Sequence, residues 1–170
     1  MVIDELFATD RQRWATALGG ELSFTKFKLD AYGPAGPKPP EDFPEKRGLY
    51  LFGAVGTGKT HMAVAFGRAV VKEYHQIAVL KMPQLLREFR ACQDAALEQE
   101  LIGKLAAKRV LVLDDLGCEK DTEFAVQTIY EIIDARYMSL RGGLIITSNL
   151  NPDDLASKIG DDRIVSRIVS

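Results

Sequence analysis

The sequence predicts a three-layer α/β domain, a mostly parallel β-sheet with helices on both faces. Three observations carry that prediction. Short apolar runs alternate with amphipathic stretches along most of the 170 residues, the pattern of strands joined by crossover helices. One of these runs enters a glycine-rich loop, GAVGTGKT at Gly53 to Thr60, and continues directly into a helical pattern. Another, VLVL at Val110 to Leu113, runs into two consecutive acids, Asp114 and Asp115. Ligands of open α/β sheets bind at that C-terminal edge of the strands.

Taken in order, residues 1–21 read as an N-terminal amphipathic helix, with Ile3, Leu6, Phe7, Trp14 and Leu18 at helical intervals and Gly19-Gly20 as its stop. Residues 22–47 form a lead-in loop holding five of the 7 prolines, which excludes a regular helix or central strand there. Residues 48–170 form the core domain. Gly48 to Phe52 is its first strand, with Glu45, Lys46 and Arg47 as a charged boundary. The helix after the loop places Met62, Ala65, Phe66, Ala69 and Val70 on one stripe.

Ile77 to Met82 is the second strand, and Pro83 opens a helix with Leu85, Leu86, Phe89 and Cys92 on its apolar face. Leu97, Leu101, Ile102 and Leu105 form a further stripe before the third strand, Val110 to Leu113. Asp121 or Thr122 caps the next helix, whose core face is Phe124, Ile129, Ile132, Ile133 and Tyr137. Gly142-Gly143 ends that helix, and Leu144 to Thr147 is the fourth strand, leading to Ser148-Asn149.

The composition, 46% hydrophobic and 27% charged, is that of an ordinary globular domain. A net charge of −2 provides no overall basic field, so any nucleic-acid contact must be a local patch or one shared between subunits. Asp4 and Glu5 stand where a secretory leader would be cationic, and no run reaches membrane-spanning length. Cys92 and Cys118 are too far apart for a C-x-x-C pair and read as packing residues in a reduced, cytoplasmic setting. His61 and His75 lack metal-ligand spacing.

The loop fits G-x-x-x-x-G-K-[ST]. Backbone N–H groups must converge on phosphate oxygens, and glycines at 53, 56 and 58 permit the positive φ and close approach this needs. The expected nucleotide-binding residues are Gly53, Ala54, Val55, Gly56, Thr57, Gly58, Lys59, Thr60 and His61. Lys59 supplies charge to the β- and γ-phosphates of ATP, or to the β-phosphate of ADP, and Thr60 with Asp114 holds Mg²⁺. Asp115 is placed to orient or deprotonate the attacking water. Asn149 reaches the γ-phosphate or that water, or else serves the turn before Asn151-Pro152. Arg163 and Arg167 lie four residues apart on one helical face. They act either as a finger supplied across a subunit interface, worth about 10³ to 10⁵ in rate, or as surface charges paired with Asp161 or Asp162.

The ordered series GLYLFGAVGTGKTHMA, VLVLDDLGCEK, LIITSNL and DDRIVSRI resembles the AAA+ P-loop ATPases of the DnaC/DnaI helicase-loader and IstB transposition-helper group, over residues 22–170. The resemblance makes Gly53 to Thr60 the Walker A loop, Asp114 and Asp115 the Walker B acids, and Asn149 sensor 1. Both Arg163 and Arg167 match arginines of the group, Arg167 better as the trans-acting finger. Met82 to Leu105 falls where such loaders line a channel for single-stranded DNA, so Arg87, Phe89 and Arg90 are DNA-contact candidates, although Phe89 also lies on a core stripe.

Three departures accompany the resemblance. Many members carry Glu at the position of Asp115, one methylene longer, which predicts weak or partner-stimulated turnover. The sequence stops before the expected last strand and lid, as a truncated core would, leaving the phosphate-loop strand at an edge. The loaders carry a separate N-terminal region that grips the helicase, whereas residues 1–21, which precede the resemblance here, are expected to form one helix.

The resemblance implies an oligomeric, Mg²⁺-dependent ATPase of DNA replication that loads a replicative helicase, with an IstB-type helper partnered by a transposase as the alternative. A P-loop small-molecule kinase and a non-hydrolysing nucleotide-binding module rank below both.

Overall fold

The computed structural model describes residues 38, 40, 41, 43, 48–71, 76–92, 94–118, 122–139 and 142–169. The expected N-terminal helix, most of the proline-rich lead-in, the charged boundary at 45–47, Asp121 and His75 lie outside them.

Among the described residues the chain runs β1 (Leu49–Phe52), α1 (Lys59–Val70), β2 (Ile77–Lys81), α2 (Met82–Ala91), α3 (Ala95–Ala106), β3 (Val110–Leu116), α4 (Glu123–Met138), β4 (Gly143–Ser148), α5 (Pro152–Ile159) and α6 (Asp162–Val169). The four strands form one parallel sheet in the order β1-β4-β3-β2. Parallel neighbours require crossovers, and each is made through helix.

Alternation along the strands sorts the core into two layers. Ile77, Val79, Val110, Val112 and Ile145 point to the face covered by Ala63, Val64 and Phe66 of α1. Ala78, Leu111, Leu113 and Ile146 point to the other face, under α2 to α6. A strand's side chains alternate between faces, so a sheet covered on both sides is apolar throughout, as VLVL is. Each fully buried side chain of this kind, Leu111 or Ile145 for instance, contributes about 1.5–3 kcal/mol. Helix α1 lies close to the sheet because Gly67 has no side chain; a Cβ there would stand 2.5 Å from Ile77 Cδ1.

Local signals account for the helix ends. Asp94 caps α3 by accepting from Leu97 N at 2.9 Å, Thr122 caps α4 through Ala125 N at 3.1 Å, and Asn151 caps α5 through Asp154 N at 2.8 Å.

The structure corrects several expectations. Met82 is the first residue of α2 rather than the end of a strand. Helix α4 stops at Met138, before Gly142-Gly143, and Gly143 already belongs to β4. Ala69 of α1 is exposed, as are Leu97 at 37% and Tyr137 at 53%. A stripe in sequence gives the apolar side of a helix but does not say how far the neighbouring layer extends. Cys118 is exposed rather than packed.

Arg136 was invisible to pattern reading. It is 4% exposed and donates to the carbonyls of Ala106 at 2.6 Å, Arg109 at 3.1 Å, Gly143 at 2.9 Å and Lys108. Burial pushes its guanidinium down to about 10, so it stays charged at neutral pH. The planar fork ties the end of α3 to the start of β4, a geometry an ammonium cannot reproduce. Arg136→Lys is expected to destabilise the domain by about 2 kcal/mol through carbonyls left without donors, read as a lower denaturation midpoint at unchanged slope.

Candidate nucleotide-binding site

Strand β1 and β4 are in register at Phe52↔Ser148, so Gly53 and Asn149 leave neighbouring strands side by side at the C-terminal edge of the sheet. Strand β3 lies on the other side of β4 and carries Asp114 and Asp115 to the same edge. Three segments distant in sequence thus meet because the strands are parallel.

The loop after β1 uses glycine where the backbone requires it. Gly53, Gly56 and Gly58 have φ of 147°, 83° and 85°. A Cβ at Gly56 would meet nothing within 4 Å, so at that position backbone conformation rather than space demands glycine. Thr57 Oγ1 donates to Ala54 O at 2.9 Å across the turn. Lys59 Nζ donates to Gly53 O at 2.9 Å and Ala54 O at 2.8 Å, folding over its own loop. Ala54, Val55, Gly56 and Thr57 are exposed, while Lys59, Thr60 and His61 form the half-buried first turn of α1. The exposed loop and the N-terminal end of α1 together present N–H groups suited to an anion.

Thr60 Oγ1 donates to Asp114 Oδ1 at 2.7 Å, which joins the loop to β3. Asp114 is 1% exposed, and its Oδ2 is buried without a hydrogen-bond partner among the described residues. A buried carboxylate oxygen left unpaired is costly unless a cation or another donor meets it. A hydroxyl and a carboxylate with spare acceptor capacity are the hard oxygen donors that Mg²⁺ takes, so these residues fit that ion.

Both acids lie inside β3, which runs to Leu116 instead of ending at Leu113. The pairing with β4 slips there, from Leu113↔Ile146 to Leu116↔Ser148. Asp114 and Asp115 therefore stand opposite the single residue Thr147, a β-bulge. Asp115 takes φ of 61°, the one positive value at a non-glycine position among the described residues, and Asp is among the side chains that tolerate it. Asp115 N donates to Thr147 Oγ1 at 3.0 Å, and Thr147 Oγ1 donates to Asp114 Oδ1 at 2.6 Å. Sequence reading took Thr147 only as the end of a strand; the bulge that gives it this place has no signature within one strand's own residues.

Asn149 is exposed just beyond β4, with Nδ2 at 3.8 Å from Cys118 Sγ. Ser148 Oγ donates to Leu116 O at 2.6 Å and accepts from Leu150 N at 3.1 Å, fixing the exit of the strand that carries Asn149.

The arginines of α6 are not brought to this loop. Arg163 pairs with Asp161 at 2.6 Å, and its hydrogen bond holds the Asp161 carboxyl below the usual range. Arg167 pairs with Asp134 at 2.6 Å and lies over Tyr130 and Tyr137 at 5.0 Å and 5.7 Å. Of the DNA-contact candidates, Phe89 is 2% exposed and packed in the core, which removes it as a stacking platform; its place on the apolar stripe of α2 decides its role. Arg87 and Arg90 are exposed, and Arg90 lies over the Phe124 ring at 5.2 Å.

Among the described residues, no helix is long and apolar enough to cross a membrane.

The family model for IstB-like ATP binding protein matches residues 42–170. The replicative helicase loader DnaI of Bacillus subtilis is 31% identical over 110 residues, 64% of this chain and 35% of that protein. The IS21 putative ATP-binding protein of Pseudomonas aeruginosa is 29% identical over 122 residues, 71% of this chain and 45% of that protein. This chain thus spans less than half the length of either relative. The crystal structure of the DnaC helicase loader superposes with a TM-score of 0.67 at 28% identity, covering 86% of this chain and 93% of that one. Replication initiator DnaA bound to AMPPCP and single-stranded DNA shares the fold, with a TM-score of 0.63 at 22% identity over 73% of this chain and 38% of that one. The parallel sheet, the phosphate-loop geometry and these matches agree on an AAA+ P-loop domain, and the chain belongs to the IstB-like ATP-binding protein family.

Proposed function

We propose that the chain is a Mg²⁺-dependent AAA+ ATPase that assembles into a homo-oligomer and loads a replicative helicase in DNA replication. The observation that carries the ATPase reading is the Thr60–Asp114 hydrogen bond, beside the buried Asp114 Oδ2, which has no hydrogen-bond partner among the described residues. It couples the phosphate loop to the acid that follows it in chemical role. Bound Mg²⁺ would neutralise phosphate charge, held by Thr60 and Asp114. Lys59 exchanges its loop carbonyls for phosphate oxygens, Asp115 accepts the proton of the attacking water, and Asn149 orients that water. An arginine from a neighbouring subunit, Arg167 or Arg163, completes the charge stabilisation; for Arg167 this means leaving Asp134.

A transposition-helper role with a transposase partner is favoured by the IS21 relative, and the two roles share every residue above. Copurification decides between them, replicative helicase supporting the first and transposase the second. Arg87 and Arg90 are the cations on α2 available to single-stranded DNA. The test of the ATPase reading is hydrolysis with and without Mg²⁺ and single-stranded DNA. Turnover that depends on Mg²⁺ and responds to DNA supports it; ATP binding with no hydrolysis in any condition leaves a nucleotide-gated binding module. Mixing Lys59→Ala with Arg167→Ala subunits, each inactive alone, is expected to restore part of the ATPase at mixed interfaces. No recovery in demonstrably mixed oligomers argues against a finger supplied in trans.

A further inference from the structure

We propose that Thr147 is a positioning residue that holds both acids of the site, fixing the Asp114 carboxylate and the left-handed backbone of Asp115 through one buried hydroxyl. The catalytic consequence rests on the ATPase reading above; the structural claim does not.

The bulge creates the opportunity. Two residues of β3 face one residue of β4 between Leu113↔Ile146 and Leu116↔Ser148, and the one is Thr147. A bulge leaves a backbone group without its ladder partner, and the Asp115 N–H is met by Thr147 Oγ1 at 3.0 Å. The same oxygen donates its proton to Asp114 Oδ1 at 2.6 Å. A hydroxyl has one proton and two lone pairs, so Thr147 acts as acceptor for one acid and donor to the other at once. Its side chain is 0% exposed, and water cannot replace it on either side.

Asp114 Oδ1 therefore receives two hydroxyl protons, from Thr147 and from Thr60 at 2.7 Å, while Oδ2 has no partner among the described residues. One of the two donors is fixed within the sheet, whereas Thr60 belongs to the phosphate loop's own helix and is shared with whatever the loop binds. Thr147 is thus the partner that stays with Asp114 when Thr60 turns to a ligand. Asp115 gains as much: its φ of 61° is disfavoured for residues with a Cβ, and the bond to Thr147 is what ties that backbone to β4.

Thr147→Val keeps the branched shape and removes the hydroxyl; Thr147→Ser keeps the hydroxyl. Two readouts separate positioning from packing. In the nucleotide-free protein, the Asp115 amide is expected to exchange hydrogen slowly, and Thr147→Val to speed that exchange at least about tenfold while Thr147→Ser leaves it slow. With a fluorescent ATP analogue, Thr147→Val is expected to lose about 10- to 100-fold of the affinity that Mg²⁺ adds, with affinity in excess chelator unchanged, and to lower kcat similarly; Thr147→Ser retains both.

Thr147→Val with wild-type Asp115 exchange and wild-type Mg²⁺ enhancement overturns the proposal, as does Thr147→Ser as impaired as Thr147→Val, which would assign the site to packing. If Thr147→Val does not fold, the wild-type Asp115 amide and Thr147→Ser decide, and unprotected exchange at Asp115 in the folded wild type overturns it. A wild type that never hydrolyses ATP fails the ATPase reading, and the amide exchange still decides this one.

Discussion

Lys59→Ala is expected to weaken ATP binding by about 10- to 100-fold, since a charged hydrogen bond to the ligand is worth about 1.5–3 kcal/mol. It is expected to lower kcat by a further factor of about 10² to 10³, the usual cost of losing one donor aimed at developing charge. The structure explains why the fold should survive. Among the described residues Lys59 Nζ donates to the carbonyls of Gly53 and Ala54, in an exposed loop, so the sheet and α1 keep their packing. Equilibrium titration with a fluorescent ATP analogue, steady-state hydrolysis and a melting curve check the three parts together. Wild-type affinity in a folded Lys59→Ala protein would remove the phosphate-loop reading. Arginine is not a neutral control at this position, because its planar fork cannot fit the point contact an ammonium makes.

Gly142→Ala is the change expected to damage the fold most. Gly142 has φ of 85°, and a Cβ there would stand 1.9 Å from the backbone oxygen of Arg109. That oxygen is already committed, accepting from Gly143 N at 2.8 Å and from Arg136 at 3.1 Å. The clash is with backbone that a buried guanidinium holds in place, so it cannot be relieved by a side-chain rotation. A left-handed backbone costs a residue with a Cβ about 1–2 kcal/mol and overpacking about 1–3 kcal/mol. The expected loss of about 2–5 kcal/mol lowers Tm by about 4–20 °C in a domain of this size. Gly103→Ala is the control. Gly103 lies inside α3 with nothing within 4 Å of a would-be Cβ, and alanine there is expected to stabilise by about 0.5–1 kcal/mol. Denaturant melts of the two variants should move in opposite directions; a Gly142→Ala protein as stable as wild type would disprove the packing argument at the β4 entrance.

The apolar runs of the four strands, the helices between them and the phosphate loop were legible because each is a contiguous signal: a strand needs its own residues apolar, and GAVGTGKT contains every glycine its turn requires. The order of loop, paired acids and Asn149 also follows from the chain, since parallel strands deliver their C-terminal ends to one edge. The resemblance to the DnaC/DnaI and IstB group rested on the same contiguous motifs, and the family match agrees with it.

What only the tertiary structure decided involves pairs of distant segments. The bulge at Asp114 and Asp115 exists in the register between β3 and β4, so no single strand announces it, and Thr147 gains its place only there. Arg136 reads as an ordinary helix cation until four carbonyls from three segments converge on it. Phe89 could be assigned to the core or to a ligand while its helix was considered alone; packing against the sheet placed it inside and left Arg87 and Arg90 exposed. Arg167 matched a finger by position, and it took α4 beside α6 to show Asp134 and two tyrosines holding it. Periodicity states which side of an element is apolar, but the identity of the atoms facing it, which fixes hydrogen bonding and charge pairing, is set only when the layers meet.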